Sequence, residues 1–158
     1  MISEESGAIQ ISPETAIAIE ASPADLEGQV IRNRDGWDDR DGHKWTILSL
    51  EPIVCRGRFV LSTFRFCDDV LFSADFAVSD DRFGGSSWSD YSKDKELERK
   101  AAHDQLLNEV LGSKRDFPWG TVWSVFDERS GGSSFGVNYT NNREQGGGGQ
   151  AATRSELT

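Results

Sequence analysis

The chain has 158 residues, and acidic residues outnumber basic ones 27 to 17, which gives a formal net charge of −10 at neutral pH. This length fits a single domain that needs neither disulfides nor metal ions to fold. The negative charge opposes binding to nucleic-acid backbones and to anionic membranes, since both reward clustered lysine and arginine. It suits a protein partner with a basic surface, although solubility alone also explains such a charge.

The N-terminal segment and the two cysteines bear on the cellular compartment. Residues 1–7 carry neither the basic nor the apolar part of a secretory leader, and no apolar run approaches the length of a membrane helix. We therefore expect a cytoplasmic protein with a loose lead-in at 1–7. Cys55 and Cys67 fall in apolar, strand-like runs and are predicted to be buried free thiols, whereas a disulfide between adjacent strands would require an oxidising compartment.

The N-terminal part is predicted to form short secondary-structure elements followed by a loop. Ala8–Ile11 fits a short edge strand, and Pro13–Glu20 fits one or two helical turns. Ser22 can cap a short helix that starts at Pro23, because serine accepts the free amides of a first turn and proline suits its first position. The charged stretch Arg32–Lys44 contains two Asp-Gly pairs and is predicted to be a loop.

Strand signals dominate the middle of the chain. Trp45–Leu50 is the first predicted strand, with a break at Glu51-Pro52, and strands at Arg58–Phe66 and Val70–Val78 follow. The short connection Cys67-Asp68-Asp69 predicts that the last two strands form an antiparallel hairpin. Alternating apolar residues give each of these strands one face for burial, which a helix can cover.

The main predicted helix, Ser92–Leu111, follows a polar loop. Asp90 or Ser92 can cap it, and its last two turns carry an apolar stripe. A glycine and then a proline prevent its continuation. Trp119–Phe126 and Ser134–Tyr139 are predicted to form a closing hairpin, because apolar residues alternate along the second of them.

These elements predict a two-layer α+β fold, with an antiparallel sheet of about five strands and one main helix packed on one face. The single domain is predicted to span residues 8–140. Residues 141–158 are polar and contain the run Gly146–Gly149, which no packed core uses. We expect this segment to be a disordered tail.

The sequence contains no strong pattern of catalytic or metal-binding residues. No catalytic residue, metal site or cofactor is predicted, although an irregular carboxylate site stays open as an alternative. His103 is interpreted as a boundary residue of the helix stripe, and His43 as a solvated residue beside Asp41. The acidic loop fails the EF-hand template because Trp37 and Leu48 fall where oxygen donors are required. Zinc is not indicated, because cysteine and histidine do not occur at close spacing. A catalytic cysteine–histidine pair is not indicated in the sequence either, although proximity of the two residue types in the fold stays open.

The tryptophans point to a binding surface. There are five, and Trp37 and Trp88 lie in polar loops. Exposed aromatic residues among acidic ones are typical of protein-binding surfaces, although these rings can instead fold back as lids over the sheet edges. The predicted contact set lies in two acidic loops and comprises Asp35, Trp37, Asp38, Asp39, Asp41, Asp81, Trp88 and Asp90.

An enzyme or a small-molecule-binding protein with a pocket on the sheet face opposite the helix is the alternative. Arg65 and Asp75 are polar residues within the predicted hairpin strands that would serve such a pocket. Their simpler interpretation is a cross-strand ion pair on the solvent face. A pocket that holds both, with a histidine in hydrogen-bond reach, would favour chemistry, whereas an open sheet face would favour binding.

The order of the predicted elements resembles that of small, acidic bacterial immunity or inhibitor proteins, which neutralise a toxin or an enzyme. The resemblance rests on a short helical lead-in, the hairpin Arg58–Phe66 and Val70–Val78, one longer helix, and the closing hairpin Trp119–Tyr139. It is one of architecture, without a residue motif of a named family. It implies a protein-binding role and transfers no binding residue to this chain.

Overall fold

The computed structural model of the protein describes residues 1–82 and 91–140, and for residues 35–37 the backbone alone. The α+β class is confirmed, but the prediction of about five strands was too low, because one sheet has seven strands and a separate sheet has two. A 3₁₀ helix spans Pro23–Gln29, and the one α-helix of the described ranges, α1, spans Lys93–Leu111. The strands are β1 (Ile9–Ser12), β2 (Thr15–Ile17), β3 (Val30–Asp38), β4 (Lys44–Cys55), β5 (Arg58–Cys67), β6 (Val70–Ser79), β7 (Asp116–Phe117), β8 (Gly120–Asp127) and β9 (Gly132–Tyr139).

The large sheet is antiparallel throughout, in the order β3-β4-β5-β6-β9-β8-β7. Both predicted hairpins, β5–β6 and β8–β9, are confirmed. The turn between β5 and β6 places Asp68 and Asp69 at φ values of 50° and 63°. Two successive positive φ values give the turn a twist that matches the twist of the strands it joins, which explains the tight connection.

Two predictions between residues 32 and 55 were wrong. Of the charged stretch predicted as a loop, residues 32–38 form most of β3, which lies at an edge of the sheet and pairs with β4, whereas residues 39–43 do connect the two strands. Charged residues are tolerated there because an edge strand faces water. β4 continues through Pro52, where its register against β5 shifts between Leu50 and Ile53. A proline donates no backbone hydrogen bond, so an irregularity in the ladder accommodates it.

The N-terminal segment also differs from its prediction. The stretch predicted to be helical contains β2, which pairs with β1 as a small hairpin. Residues 1–7 are not a loose lead-in, because Ile2 is only 4% exposed and bridges to Ile9. The indole Nε1 of Trp119 donates to the carbonyl oxygen of Glu4 at 2.8 Å. The N-terminus is therefore part of the domain.

α1 packs on one face of the large sheet, against β6, β8 and β9. The hydroxyl oxygen of Ser92 accepts the amide of Lys95 and caps the helix, as predicted. The first turns are not wholly solvated, because buried Glu96 accepts the amide of Ser133 at 2.9 Å and a guanidinium N–H of Arg99 at 2.6 Å. The hydrophobic core includes residues of the sheet, of α1 and of the N-terminal segment, among them Ile9, Leu26, Phe64, Phe66, Leu71, Phe76, Val78, Leu106, Leu107, Leu111, Phe135 and Val137.

His103 is not a boundary residue but is fully buried, at 0% exposure. The pairing of β9 with β6 ends at Phe76 and Phe135, and the amide of Val78 lies beyond it. Nε2 of His103 accepts that amide at 3.0 Å and takes the place of a strand partner. Burial lowers the pKa of His103 to about 4, so the ring is neutral at physiological pH.

The remaining expectations concern the tail, the cysteines and the membrane. The predicted disordered tail, 141–158, lies outside the described residues. Cys55 and Cys67 are free thiols, the second buried and the first partly exposed. Within residues 1–82 and 91–140, no helix combines the length and the apolar character that crossing a membrane requires.

Candidate functional site

One face of the large sheet is only partly buried. Along β5, Val60, Phe64 and Phe66 point into the core, while Leu61 and Arg65 alternate with them on the opposite side. The strand registers place partly or largely exposed residues of β4, β6 and β8 on that same side. We call this surface the open face. It comprises Trp45, Ile47, Ser49, Val54, Phe59, Leu61, Thr63, Arg65, Phe72, Asp75, Ala77, Trp123 and Val125.

An ion pair occupies the centre of the open face. The Arg65 guanidinium donates to the Asp75 carboxylate across β5 and β6, which confirms the cross-strand interpretation of these residues. Burial raises the pKa of Asp75, and the Arg65 charge opposes that rise. His43 bonds to Asp68 instead, and His103 bonds to Val78 under α1. The arrangement that would favour chemistry, with a histidine beside this pair, is thus not found among these contacts.

Trp123 lies flat on the sheet because β9 has a glycine beneath it. A Cβ atom on Gly136 would stand 2.5 Å from Cζ2 of Trp123 and 2.5 Å from the carbonyl oxygen of Ala74. Gly136 pairs directly with Asp75, so the indole borders the central ion pair. This glycine therefore sets the position of an aromatic residue on the open face.

Asp39 organises the connection between β3 and β4. Its Oδ1 accepts the backbone amides of Asp41 and His43, each at 2.9 Å, and its Oδ2 accepts the indole N–H of Trp45 at 2.9 Å. The bond from Trp45, followed by the bonds from these amides, lowers the pKa of Asp39. The carboxylate thereby fixes both the loop and the Trp45 ring, which packs edge-on against Phe72 with centroids 5.1 Å apart.

Asp68 joins this loop to the β5–β6 turn. Its Oδ2 lies 2.6 Å from Nδ1 of His43, and its Oδ1 accepts the amide of Lys44 at 2.9 Å. The hydrogen bond between the two side chains raises the pKa of His43 and lowers that of Asp68. Burial raises the pKa of the Cys67 thiol, whose sulfur lies 4.0 Å from Oδ2 of Asp68.

The ligand-type atoms of His43, Cys67 and Asp68 all lie within 4.8 Å of one another. Sequence spacing missed this group because the hairpin of β4 and β5 separates the histidine from the cysteine along the chain, and the contact depends on the pairing of Trp45 with Cys67. The only signal available was the turn Cys67-Asp68-Asp69, which fixes the far end of β5 but not its register with β4. The pairing of β4 with β5 therefore brings these three possible metal ligands together.

The described residues of the predicted protein-contact set lie at two opposite ends of the large sheet. Asp38, Asp39 and Asp41 lie at the end of the sheet that carries the β5–β6 turn. Asp81 follows the other end of β6, so about 30 Å, the length of β5, separates it from them. The remaining members lie outside the described residues, Trp88 and Asp90 entirely, and Asp35 and Trp37 by their side chains.

The exposed carboxylates concentrate at the first of these ends. Asp38, Asp41, Asp68 and Asp69 are all exposed there, beside Trp45 of the open face. We call these four residues the acidic end. Some carboxylates have basic partners at both ends, since Asp68 bonds to His43 at the acidic end, and near Asp81 Arg58 lies 3.2 Å from Asp80 and Arg82 lies 3.2 Å from Glu51. The acidic end therefore places four exposed carboxylates beside the open face.

Two clefts lie away from the open face. One, of about 190 Å³, is lined by Cys55, Arg58, Gln105 and other residues between α1 and the β4–β5 turn. The other, of about 290 Å³, lies between β2 and the 3₁₀ helix. Pockets for drug-sized ligands typically enclose roughly 300–1,000 Å³, so the first cleft is small for such a ligand and the second lies at the lower bound.

Comparison with known proteins adds no assignment. No protein-family model, curated protein or solved structure matches this chain. The resemblance to immunity and inhibitor proteins therefore stays a prediction from the order of the elements.

Proposed function

We propose that this protein is a protein-binding module, and that the open face together with the acidic end forms its contact surface. The observation that supports this most directly is the fixed indole of Trp45. It is partly exposed, yet Asp39 holds its N–H and Phe72 packs against its ring. A side chain already held in place loses little conformational entropy on binding, which favours it as an anchor in an interface.

Charge supports a basic surface on the partner. The chain carries a net charge of −10, and four exposed aspartates border Trp45 at the acidic end. Opposite potentials speed the encounter of two proteins and orient them before they make contact. The architectural resemblance suggests that this partner is a toxin or an enzyme, which the protein would inhibit by covering its surface.

Ligand binding or catalysis on the open face has less support. The central polar groups, Arg65 and Asp75, satisfy each other, and the histidines bond elsewhere. Apolar and aromatic side chains make up much of the remaining open face. Such a surface suits the desolvated centre of a protein interface better than it suits a reacting group.

Affinity purification from the source cells, with the tagged full chain as bait, tests the proposal. Trp45→Ala removes the proposed anchor, and Leu97→Ala is the matched control, because Leu97 is 44% exposed on α1, in the other layer. We expect one partner to bind the unmodified chain and the control but to be lost with Trp45→Ala. Its affinity, measured with the purified partner, should fall as salt rises.

Circular dichroism must first show that both variants fold. A partner retained equally by all three chains would place the interface elsewhere and contradict the proposal. Failure to retain any partner, even from cells that produce the chain naturally, would also count against a binding role. Affinity that is independent of salt would remove the acidic end from the contact surface.

A further inference from the structure

His43, Cys67 and Asp68 form a group of metal-ligand atoms, of which only Asp68 also belongs to the acidic end of the proposed contact surface. We propose that these three residues bind a zinc ion, with the fourth coordination position open to water or to another ligand. The proposal does not rest on the protein-binding role, and Asp68 is the one residue that the two proposed sites share. It rests on the convergence of three different ligand types from two connections at one end of the sheet.

The spacing of the group suits a zinc ion after small side-chain rotations. Zinc binds sulfur at about 2.3 Å and imidazole nitrogen or carboxylate oxygen at about 2.0–2.2 Å, so tetrahedral ligand atoms lie about 3.3–3.7 Å apart. Oδ2 of Asp68 lies 2.6 Å from Nδ1 of His43 and 4.0 Å from Sγ of Cys67. No two of the three ligand atoms are more than 4.8 Å apart. Opening the hydrogen-bonded pair by about an ångström admits the ion.

The surrounding bonds position the ligands. Asp68 uses Oδ1 to hold the Lys44 amide, which leaves Oδ2 to coordinate the ion. Asp39 holds the backbone amide of His43 and fixes the loop that carries the imidazole. The side chains of His43 and Asp68 are 25% and 44% exposed, so an ion can reach the group from solvent. Hydrogen bonds that orient ligands in this way typically strengthen metal binding.

The ligand types select the metal. A thiolate and an imidazole favour zinc over magnesium and calcium, which prefer oxygen ligands alone. Three protein ligands with one open position are the arrangement of zinc sites that keep an exchangeable ligand. Binding displaces the thiol proton of Cys67. The proton that Nδ1 of His43 shares with Asp68 must also leave that nitrogen, and an imidazole that was neutral then takes up a proton at Nε2. Both displaced protons pass to solvent, and no oxidation or reduction occurs.

Titration of the full, reduced and metal-free chain with zinc chloride tests the proposal by calorimetry. Cobalt(II) provides a second readout, because a cobalt–thiolate bond produces a charge-transfer absorption. The matched pair is Cys67→Ser and Cys55→Ser, since the chain has only these two cysteines. We expect one zinc per chain for the unmodified protein and for Cys55→Ser. Cys67→Ser should weaken zinc binding at least roughly tenfold and abolish the cobalt–thiolate absorption.

His43→Asn and Asp68→Asn provide ligand variants at partly exposed positions, in case Cys67→Ser destabilises the fold. Each should weaken zinc binding at least roughly tenfold while the unbound variant keeps the circular dichroism of the unmodified chain. The absence of zinc binding, or of the cobalt–thiolate absorption, would overturn the proposal. Equal binding by Cys67→Ser and Cys55→Ser would overturn it too, and would assign the ion to surface carboxylates. An excess of magnesium that displaces zinc would have the same meaning.

Discussion

The two faces of the large sheet use the same strands in opposite ways. On β5 and β6 the covered face carries Phe64 and Phe76, which are 0% and 2% exposed and pack edge-to-face with centroids 6.1 Å apart. The open face of the same strands carries the Arg65–Asp75 ion pair and partly exposed apolar residues. Because side chains alternate along a strand, one segment of sequence supplies both the stability of the core and a surface available for binding.

The comparison can be tested most strongly by truncating one residue on each face. Phe64→Ala should lower the free energy of unfolding by about 3–5 kcal/mol, because it leaves a cavity in the covered core. Leu61→Ala, on the open face of the same strand, should cost less than about 1.5 kcal/mol, because water already reaches that side chain. Urea denaturation of the two variants measures both values. Equal losses would mean that the open face is as closely packed as the core.

His103 makes the covered side sensitive to acid. Its pKa is about 4 in the folded protein, against 6.5 for an unperturbed histidine, so the unfolded chain binds the proton more readily. The contribution of neutral His103 to the free energy of unfolding is therefore fully present above about pH 6.5. It declines as the pH falls towards 4, by at most about 3 kcal/mol. His103→Gln keeps an acceptor for the Val78 amide and removes the titrating ring.

Urea titrations at pH 7 and at pH 4.5 on the unmodified chain and on this variant measure the effect. The stability of His103→Gln should fall less between these two pH values than that of the unmodified chain. An identical pH dependence in both proteins would show that carboxylates alone, and not the buried ring, govern the acid response.

Gly136, the glycine beneath Trp123, tests how closely the open face is packed. Gly136→Ala should destabilise the protein by about 1–3 kcal/mol, since the new methyl group would meet both the indole and the backbone of β6. Gly132→Ala is the matched control on the same strand, because its nearest contact would be an ordinary 3.7 Å from the Ser130 hydroxyl oxygen. Thermal unfolding monitored by Trp fluorescence compares them. A Gly136→Ala protein as stable as the control would show that Trp123 moves away readily.

The smallest expected effect concerns the ion pair on the open face. Arg65→Met should destabilise the protein more than Asp75→Asn, because it leaves a partly buried carboxylate without its cation. Burial already raises the pKa of Asp75, which shows that the charged form is costly there. A double-mutant cycle in urea should give a coupling of less than about 1 kcal/mol. A coupling several times larger would mean that the open face is less accessible to water than its exposure indicates.

The parts of the fold predicted correctly from sequence are those with local signals. Asp68 and Asp69 marked the β5–β6 turn, and Ser92 marked the start of α1. β3 was missed because its charges resemble those of a loop, whereas an edge strand tolerates them. The break predicted at Pro52 failed because a register shift absorbs a residue that cannot donate a hydrogen bond.

The site was less predictable because it depends on long-range pairing. The acidic loop was recognised, but the role of Asp39 in holding Trp45 requires the turn geometry. The proximity of His43 to Cys67 requires the β4–β5 register, which no local pattern specifies. His103 was misjudged for a similar reason, because its partner amide is available only where β9 stops short of β6.

The edges of the large sheet carry a consequence for self-association. β3, at one edge, is interrupted by register shifts on both sides of Asn33 and carries Arg32, Arg34 and Asp38. β7, at the other edge, has only two residues. Irregular, charged or very short edge strands are poor templates for the addition of another strand. The chain can therefore display an apolar sheet face at high concentration with little tendency to polymerise through its edges into β-rich aggregates.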